Sequence, residues 1–239
     1  IIINVTANTN IPEFVLDEYF KAILDGSCYK FSCELPGKSW GKIEIQVPEN
    51  TEKLNIKTDN GKCEIMGIQL KDMNCSTNNG KIYISKCSCD SIELLTDNGR
   101  VIIGESTART ANIRTSNAKI DIADCKIDNI DAKTTNGAIE LASLSKYPDT
   151  ESRYILNTTN GKINVLFHSC SDDECMVEAS TTMGNINVAL SKLVYTLDRK
   201  DIGMHSSASV KSNAYDTSSN RIYINAVTTN APINIAKCK

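Results

Sequence analysis

Apolar and polar residues alternate with a period of two in short runs along most of this chain, the pattern of half-buried strands and not of helices. The runs are separated by a recurring corner, Thr-x-Asn-Gly. Taking the corner asparagine as zero places it at Asn60, Asn79, Asn98, Asn117 and Asn136, four successive steps of 19 residues, then at Asn160, Met183 and Asn230. Three residues past zero stand Cys63, Ile82, Val101, Ile120, Ile139, Ile163, Ile186 and Ile233, and five past stand Ile65, Ile84, Ile103, Ile122, Leu141, Val165, Val188 and Ile235. Before the corner, Ile56, Cys75, Leu94, Ile113, Ala132, Leu156, Ala179 and Ala226 lie four back, with Leu54, Met73, Ile92, Ala111, Ile130, Tyr154, Val177 and Ile224 six back. These four columns are the expected core. Lys62, Glu64, Lys81, Arg100, Asp121 and Glu140 fall between them and face water. A fixed period near 20 residues marks a solenoid, in which no coil buries its apolar face without its neighbours. The expected fold is therefore an all-β, single-domain β-solenoid (β-helix) of about nine coils of 19–24 residues.

The corner residues read first as structure. Threonine two before zero shares the inward parity and can hydrogen-bond along the stack, while Asn and Gly suit the left-handed conformation that a sharp corner needs. The longer steps after Asn136 imply insertions near Ser143 to Ser152 and Phe167 to Glu174. The 47-residue interval from Met183 to Asn230 fits two coils, with a degenerate middle corner near Ser206 to Ala208.

The ends depart from the repeat. Residues 1–40 form an expected N-terminal strand and capping region, and 41–239 the repeat domain, with Gly41, Ile43 and Ile45 resembling half a coil. Pro12 to Leu24 reads as a short amphipathic capping helix, with Leu16, Phe20, Ile23 and Leu24 on one side and Asp25-Gly26 as its stop. The last repeat runs almost into the terminus, so an uncovered final coil carrying Ile233 and Ile235 is expected to offer a strand edge. The β-prone run Ile1, Ile2, Ile3, Val5 of another copy could fill that edge, and repetition of a head-to-tail contact gives a fibre.

Composition narrows the functional classes. A net charge of -3 with dispersed signs gives no reason to expect nucleic acid as a partner, and no apolar run approaches the ~20 residues of a membrane span. Ten cysteines point to an oxidising compartment. Cys28 with Cys33 and Cys170 with Cys175 are candidate short-loop disulfides, while Cys63, Cys75, Cys87, Cys89, Cys125 and Cys238 need the fold before they can be paired. Cys87 and Cys125 lie two coils apart, about 9.6 Å, too far for a direct bond. Sequons at Asn4, Asn74 and Asn157 are candidate glycosylation sites and agree with an extracellular or cell-surface location. Neither Cys87-Ser-Cys89 nor the Cys170 to Cys175 segment has structural-zinc spacing, so no metal and no cofactor are expected.

Catalysis has weak support. His168 and His205 sit in no nucleophile or metal motif. Asp59 and Asp97 share a corner position two coils apart, near the upper separation for inverting glycosidases, yet aspartate there is ordinarily a turn residue. Tyr83 and Tyr223 have outward parity and could stack on a sugar, but their coils are far apart.

Repeats such as Thr134-Thr135-Asn136-Gly137-Ala138-Ile139-Glu140-Leu141 and Thr158-Thr159-Asn160-Gly161-Lys162-Ile163-Asn164-Val165 resemble the adhesin β-solenoid repeat family best known from bacteria, over roughly residues 41–236. The resemblance implies a β-solenoid. The expected function is a non-catalytic extracellular structural or adhesive protein, a fibre subunit contacting itself head to tail. A monomeric adhesin binding surface glycans or other extracellular proteins is the alternative, and a polysaccharide-cleaving enzyme the third.

Overall fold

The computed structural model describes residues 2–8, 19–35, 40–167, 174–190, 193–202 and 205–237. The chain divides into two compact units, Ile1–Glu49 and Asn50–Lys239. All regular elements among the described residues are β-strands.

The first unit holds β1 (Ile2–Asn8), β2 (Phe20–Asp25), β3 (Cys28–Cys33) and β4 (Trp40–Gln46). β1 pairs antiparallel with β4, and β2 with β3. The expected capping helix is corrected here: Phe20 to Leu24 are strand, and Pro12 to Glu18 lie outside the described residues. The helix reading rested on Phe20, Ile23 and Leu24 at helical spacing, but Asp25-Gly26 is equally a hairpin signal. Gly26 takes φ +61° in that turn, and Phe20 stacks across the hairpin on Phe31 at 6.5 Å. Gly41, Ile43 and Ile45 likewise belong to β4 and pair with β1, not with a coil.

The second unit begins with β5 (Lys53–Thr58), β6 (Cys63–Met66), β7 (Asp72–Thr77), β8 (Ile82–Ser85), β9 (Ser88–Thr96) and β10 (Val101–Gly104). It continues with β11 (Thr107–Thr115), β12 (Ile120–Ala123), β13 (Lys126–Lys133), β14 (Ile139–Leu144), β15 (Glu151–Asn157) and β16 (Ile163–Phe167). The last strands are β17 (Glu174–Thr181), β18 (Ile186–Ala189), β19 (Leu193–Ile202), β20 (His205–Ser212), β21 (Arg221–Val227) and β22 (Ile233–Lys237). From β5 to β18 successive strands alternate between a 10-stranded and an 8-stranded sheet, and each pairs in parallel with strands of the neighbouring coils. Val101 therefore lies beside Ile82 and Ile120, and Ile103 beside Ile84 and Ile122. The four predicted columns are the core, with only Leu54, Ile56 and Val188 less than fully buried.

The stacking order departs from chain order at the C-terminal end. β22 lies between β16 and β18, and β21 between β15 and β17. The final coil is thus internal. Residues Ser206 to Ala208 form no corner; they lie in β20, which pairs antiparallel with β17 and β19. A polar latch fixes the inserted coil: the Asn220 side-chain oxygen accepts hydrogen bonds from Lys146 Nζ at 2.9 Å and the Asp149 N–H at 2.8 Å, and Arg221 donates to Glu151 at 3.0 Å. The insertion expected around Ser143 to Ser152 supplies Lys146, Asp149 and Glu151, while 168–173 of the second insertion lie outside the described residues.

These pairings correct the expected assembly strands. Ile2, Ile3 and Val5 are already partnered by Gln46, Ile45 and Ile43, and Ile1 lies outside the described residues. Ile233 and Ile235 have a strand on both sides, so the coil that carries them offers no open edge.

Candidate functional site

The corners from Asn60 to Asn160 close on themselves, and those after the first also close on the coil before them. The Gly80 N–H donates to Thr77 Oγ1 at 2.9 Å, Gly99 to Thr96 at 3.0 Å and Gly161 to Thr158 at 3.1 Å. The threonine hydroxyl in turn donates to a neighbouring coil's carbonyl, as Thr158 does to Gly137 at 2.9 Å and Thr228 to Gly161 at 3.1 Å. The corner asparagines form an amide ladder running through 60, 79, 98, 117, 136, 160 and 230, with steps of 2.6–2.7 Å. Thr and Asn are therefore occupied by the fold. The corner glycines do not take positive φ as expected; the residue seven past zero does, at Gly67 (φ 67°), Lys86 (56°), Glu105 (48°), Asp124 (54°) and Ser143 (53°). Corner glycine is favoured for another reason: a Cβ on Gly99 would meet the Gly80 carbonyl oxygen at 1.7 Å.

What the corner leaves for ligands are the outward positions one and three before zero. Across three successive coils these open a solvent-facing groove of about 400 Å³, lined by Ser76, Asn78, Leu95, Asp97, Arg114 and Ser116 above the buried Thr77, Thr96 and Thr115. It is an open surface groove and not an enclosed cleft. Leu95 is 40% exposed in a column that otherwise carries Lys57, Ser76, Arg114 and Lys133 nearby. Arg114 is fixed by donating to the Asp131 carbonyl at 2.7 Å and to its carboxylate. Hydroxyls, an amide, a carboxylate and one apolar patch in a row can hydrogen-bond a hydroxyl-rich chain and pack on its apolar face.

The other predicted residues are placed as follows. Asp59, Asn78, Asp97 and Ser116 stack in one column, and Asn78 donates to the Asp59 carboxylate at 3.2 Å. Tyr83 and Tyr223 lie in different sheets; Lys81 sits 5.3 Å from the first ring and Arg153 4.9 Å from the second. His205 opens β20 and is exposed, and His168 lies outside the described residues. Cys28 and Cys33 stand at opposite ends of the same strand, about 16 Å apart at ~3.3 Å per residue, so the expected bridge between them is corrected. Cys170 lies outside the described residues, and Cys175 is half-buried in β17.

Cys87 and Cys125 are separated by Ser106 in a buried column eight past zero. Each XH group closes the left-handed corner by donating to the carbonyl two residues back: Cys87 at 3.3 Å, Ser106 at 2.7 Å and Cys125 at 3.0 Å. Burial pushes the Cys125 thiol up to about 11 and Cys89 up to about 12. Asn74 is exposed in mid-strand, and Asn157 is half-buried at the end of β15. Among the described residues no cluster of His, Cys, Asp and Glu could hold a metal, and no helix is long and apolar enough to cross a membrane.

The groove was legible only in part. An apolar Leu95 in a polar column was its sequence signal; which outward columns converge was not readable before the stack was known.

A two-sheet stack with one corner motif per coil defines a solenoid-like repeat protein. The profile of the Toastrack DUF4097 family matches residues 27–225, and the chain belongs to that family. Membership carries the repeat fold and says nothing of adhesion. No curated protein and no solved structure matches the chain.

Proposed function

We propose that this protein is a non-catalytic, extracellular adhesive β-solenoid that binds surface glycan through the groove on its threonine edge. The observation that carries the reading is the row of Ser76, Asn78, Leu95, Asp97, Arg114 and Ser116 across three coils. A strand spacing of about 4.8 Å repeats polar groups along the stack, so an extended chain lying in the groove meets one set per coil. The aliphatic core and neutral amide ladder supply a rigid support rather than reacting groups. The abundance of cysteine and the sequons at Asn4, Asn74 and Asn157 favour an oxidising, extracellular setting.

The test is a glycan array probed with labelled protein and with Leu95→Arg and Ser116→Tyr variants of unchanged far-UV circular dichroism. Binding to a defined glycan class that both variants lose is the expected result. No binding across the array, or binding that both folded variants retain, overturns the reading.

A further inference from the structure

Cys63 and Cys75 face each other across the core from opposite sheets. Cys63 is the first inward residue of β6, beside Ile82, and Cys75 lies in β7, beside Ile56 and Leu94. Both are buried, 6% and 2% exposed, and each thiol acts directly on the other's proton affinity. The other coils fill these two columns with Ile, Val, Leu and Ala, so within these columns only this pair sets sulfur against sulfur. Packing is also thin here. Leu54 and Ile56 of the same coil are only half-buried, and β5 and β6 are the terminal strands of their sheets.

We propose that Cys63 and Cys75 are a disulfide-forming pair that staples the first coil to the second and joins the two sheets, with a low-molecular-weight disulfide as the oxidant. The Cys63 thiolate attacks one sulfur of the oxidant RSSR, forming Cys63–S–S–R and releasing RS⁻. Cys75 passes its proton to a released thiolate and attacks the Cys63 sulfur, expelling the second RS⁻. Two protein thiols and RSSR become one protein disulfide and two RSH. The Cys75 thiol holds the Cys63 thiol below its ordinary range against the opposing effect of burial, and Cys63 together with burial pushes Cys75 up. The same balance holds with the two sulfurs exchanged. Terminal strands open locally at lower cost than internal ones, which gives the oxidant access. Closing the loop from 63 to 75 restricts the unfolded chain and raises stability.

The two residues fall in separate tryptic peptides, 63–71 and 72–81, each with a single cysteine. Purified full-length protein is incubated with glutathione disulfide, unfolded in the presence of N-ethylmaleimide, digested and mapped by mass spectrometry. The expected result is one species linking 63–71 to 72–81 that separates on reduction. Recovery of both peptides carrying maleimide, glutathione or any other partner overturns the proposal. As a second reading, oxidation raises the urea midpoint of the wild type and leaves that of Cys75→Val unmoved; an equal rise in the variant overturns the staple even if the linked species forms.

Discussion

At the Thr-x-Asn-Gly corner successive coils repeat the same side chains, whereas at the corner seven residues past zero only the backbone repeats. The first corner holds Thr, Asn and Gly or Ala almost throughout, yet its glycines take ordinary φ. The second holds Gly67, Lys86, Glu105, Asp124 and Ser143, all with positive φ. The difference lies in what each corner touches. Gly80 and Gly99 pack a backbone against the carbonyl of the coil before, where a Cβ has 1.9 and 1.7 Å, and each asparagine amide needs an identical partner one coil away. Contact between coils selects the residue there. At the second corner the side chain points away and the backbone imposes the conformation, so four non-glycine residues carry the left-handed strain, each at a cost of about 1–2 kcal/mol.

The largest test of that contrast is Gly99→Val. A branched Cβ against the Gly80 carbonyl forces the coils apart, and a loss of about 3 kcal/mol is expected by urea denaturation. Ala118 and Ala231 show that a single methyl can be accommodated at this position, so Gly99→Ala is expected to cost less, about 1 kcal/mol. Equal and negligible effects of both variants would mean that the close approach does not select glycine.

Next in size is Thr96→Val, which keeps shape but leaves the buried Gly99 N–H without its 3.0 Å acceptor. A buried donor so orphaned costs about 1–3 kcal/mol. Hydrogen exchange at Gly99 accelerated without change at coils beyond its neighbours is the local signature; no change in stability would show that the hydroxyl is dispensable.

The second corner predicts a pair of opposite signs. Glu105→Gly removes left-handed strain and is expected to raise stability by about 0.5 kcal/mol, since its 3.8 Å contact with Lys86 is between largely exposed groups and contributes little. Gly67→Ala is expected to lower it by about 1 kcal/mol. If both substitutions destabilise, strain is not what distinguishes this corner.

The same contrast explains what could be read from the sequence. Columns that contact their own copies are repetitive and hence visible, which is why the Ile82, Val101 and Ile120 series, the threonines and the asparagine period identified the core and the coil. The left-handed corner was invisible because Lys86, Glu105 and Asp124 share no chemistry, and positive φ was assigned to the glycines that looked suited to it. The place of β22 was also out of reach: Ile233 and Ile235 fit beside any aliphatic column, and the choice of coil rests on the latch of Asn220 and Arg221 to the far-off Lys146 and Glu151. Of the groove, Asp97 stands out in the sequence only as one of a spaced carboxylate pair, and Leu95 and Arg114 come together only when three coils set them side by side.

Acid separates the two edges by the smallest effect. The asparagine ladder carries no titratable group, but the 8-stranded sheet beside it carries a charged row in which Arg100 meets Asp121, Lys119 meets Asp121 and Glu140, and Lys162 meets Glu140 at 2.9 Å. The hydrogen bond from Lys119, and after the opposing effect of burial that from Lys162, holds the Glu140 carboxyl below the usual carboxylate range. A carboxyl depressed in the folded state binds its proton more readily when unfolded, so its contribution is fully present above the unfolded value near ~4.3 and is lost as pH falls through the folded one. For a partly exposed group that contribution is under about 1 kcal/mol. Wild type is therefore expected to lose more stability than Glu140→Gln between about pH 5 and about pH 3, with the two converging at the acid end. Exchange at Asn117 and Asn136, whose corners carry Ser116 and Thr135 in place of a carboxylate, follows global stability alone once corrected for intrinsic pH dependence; parallel pH profiles for the two proteins would remove Glu140 from the account and leave the stack held by its neutral asparagine ladder.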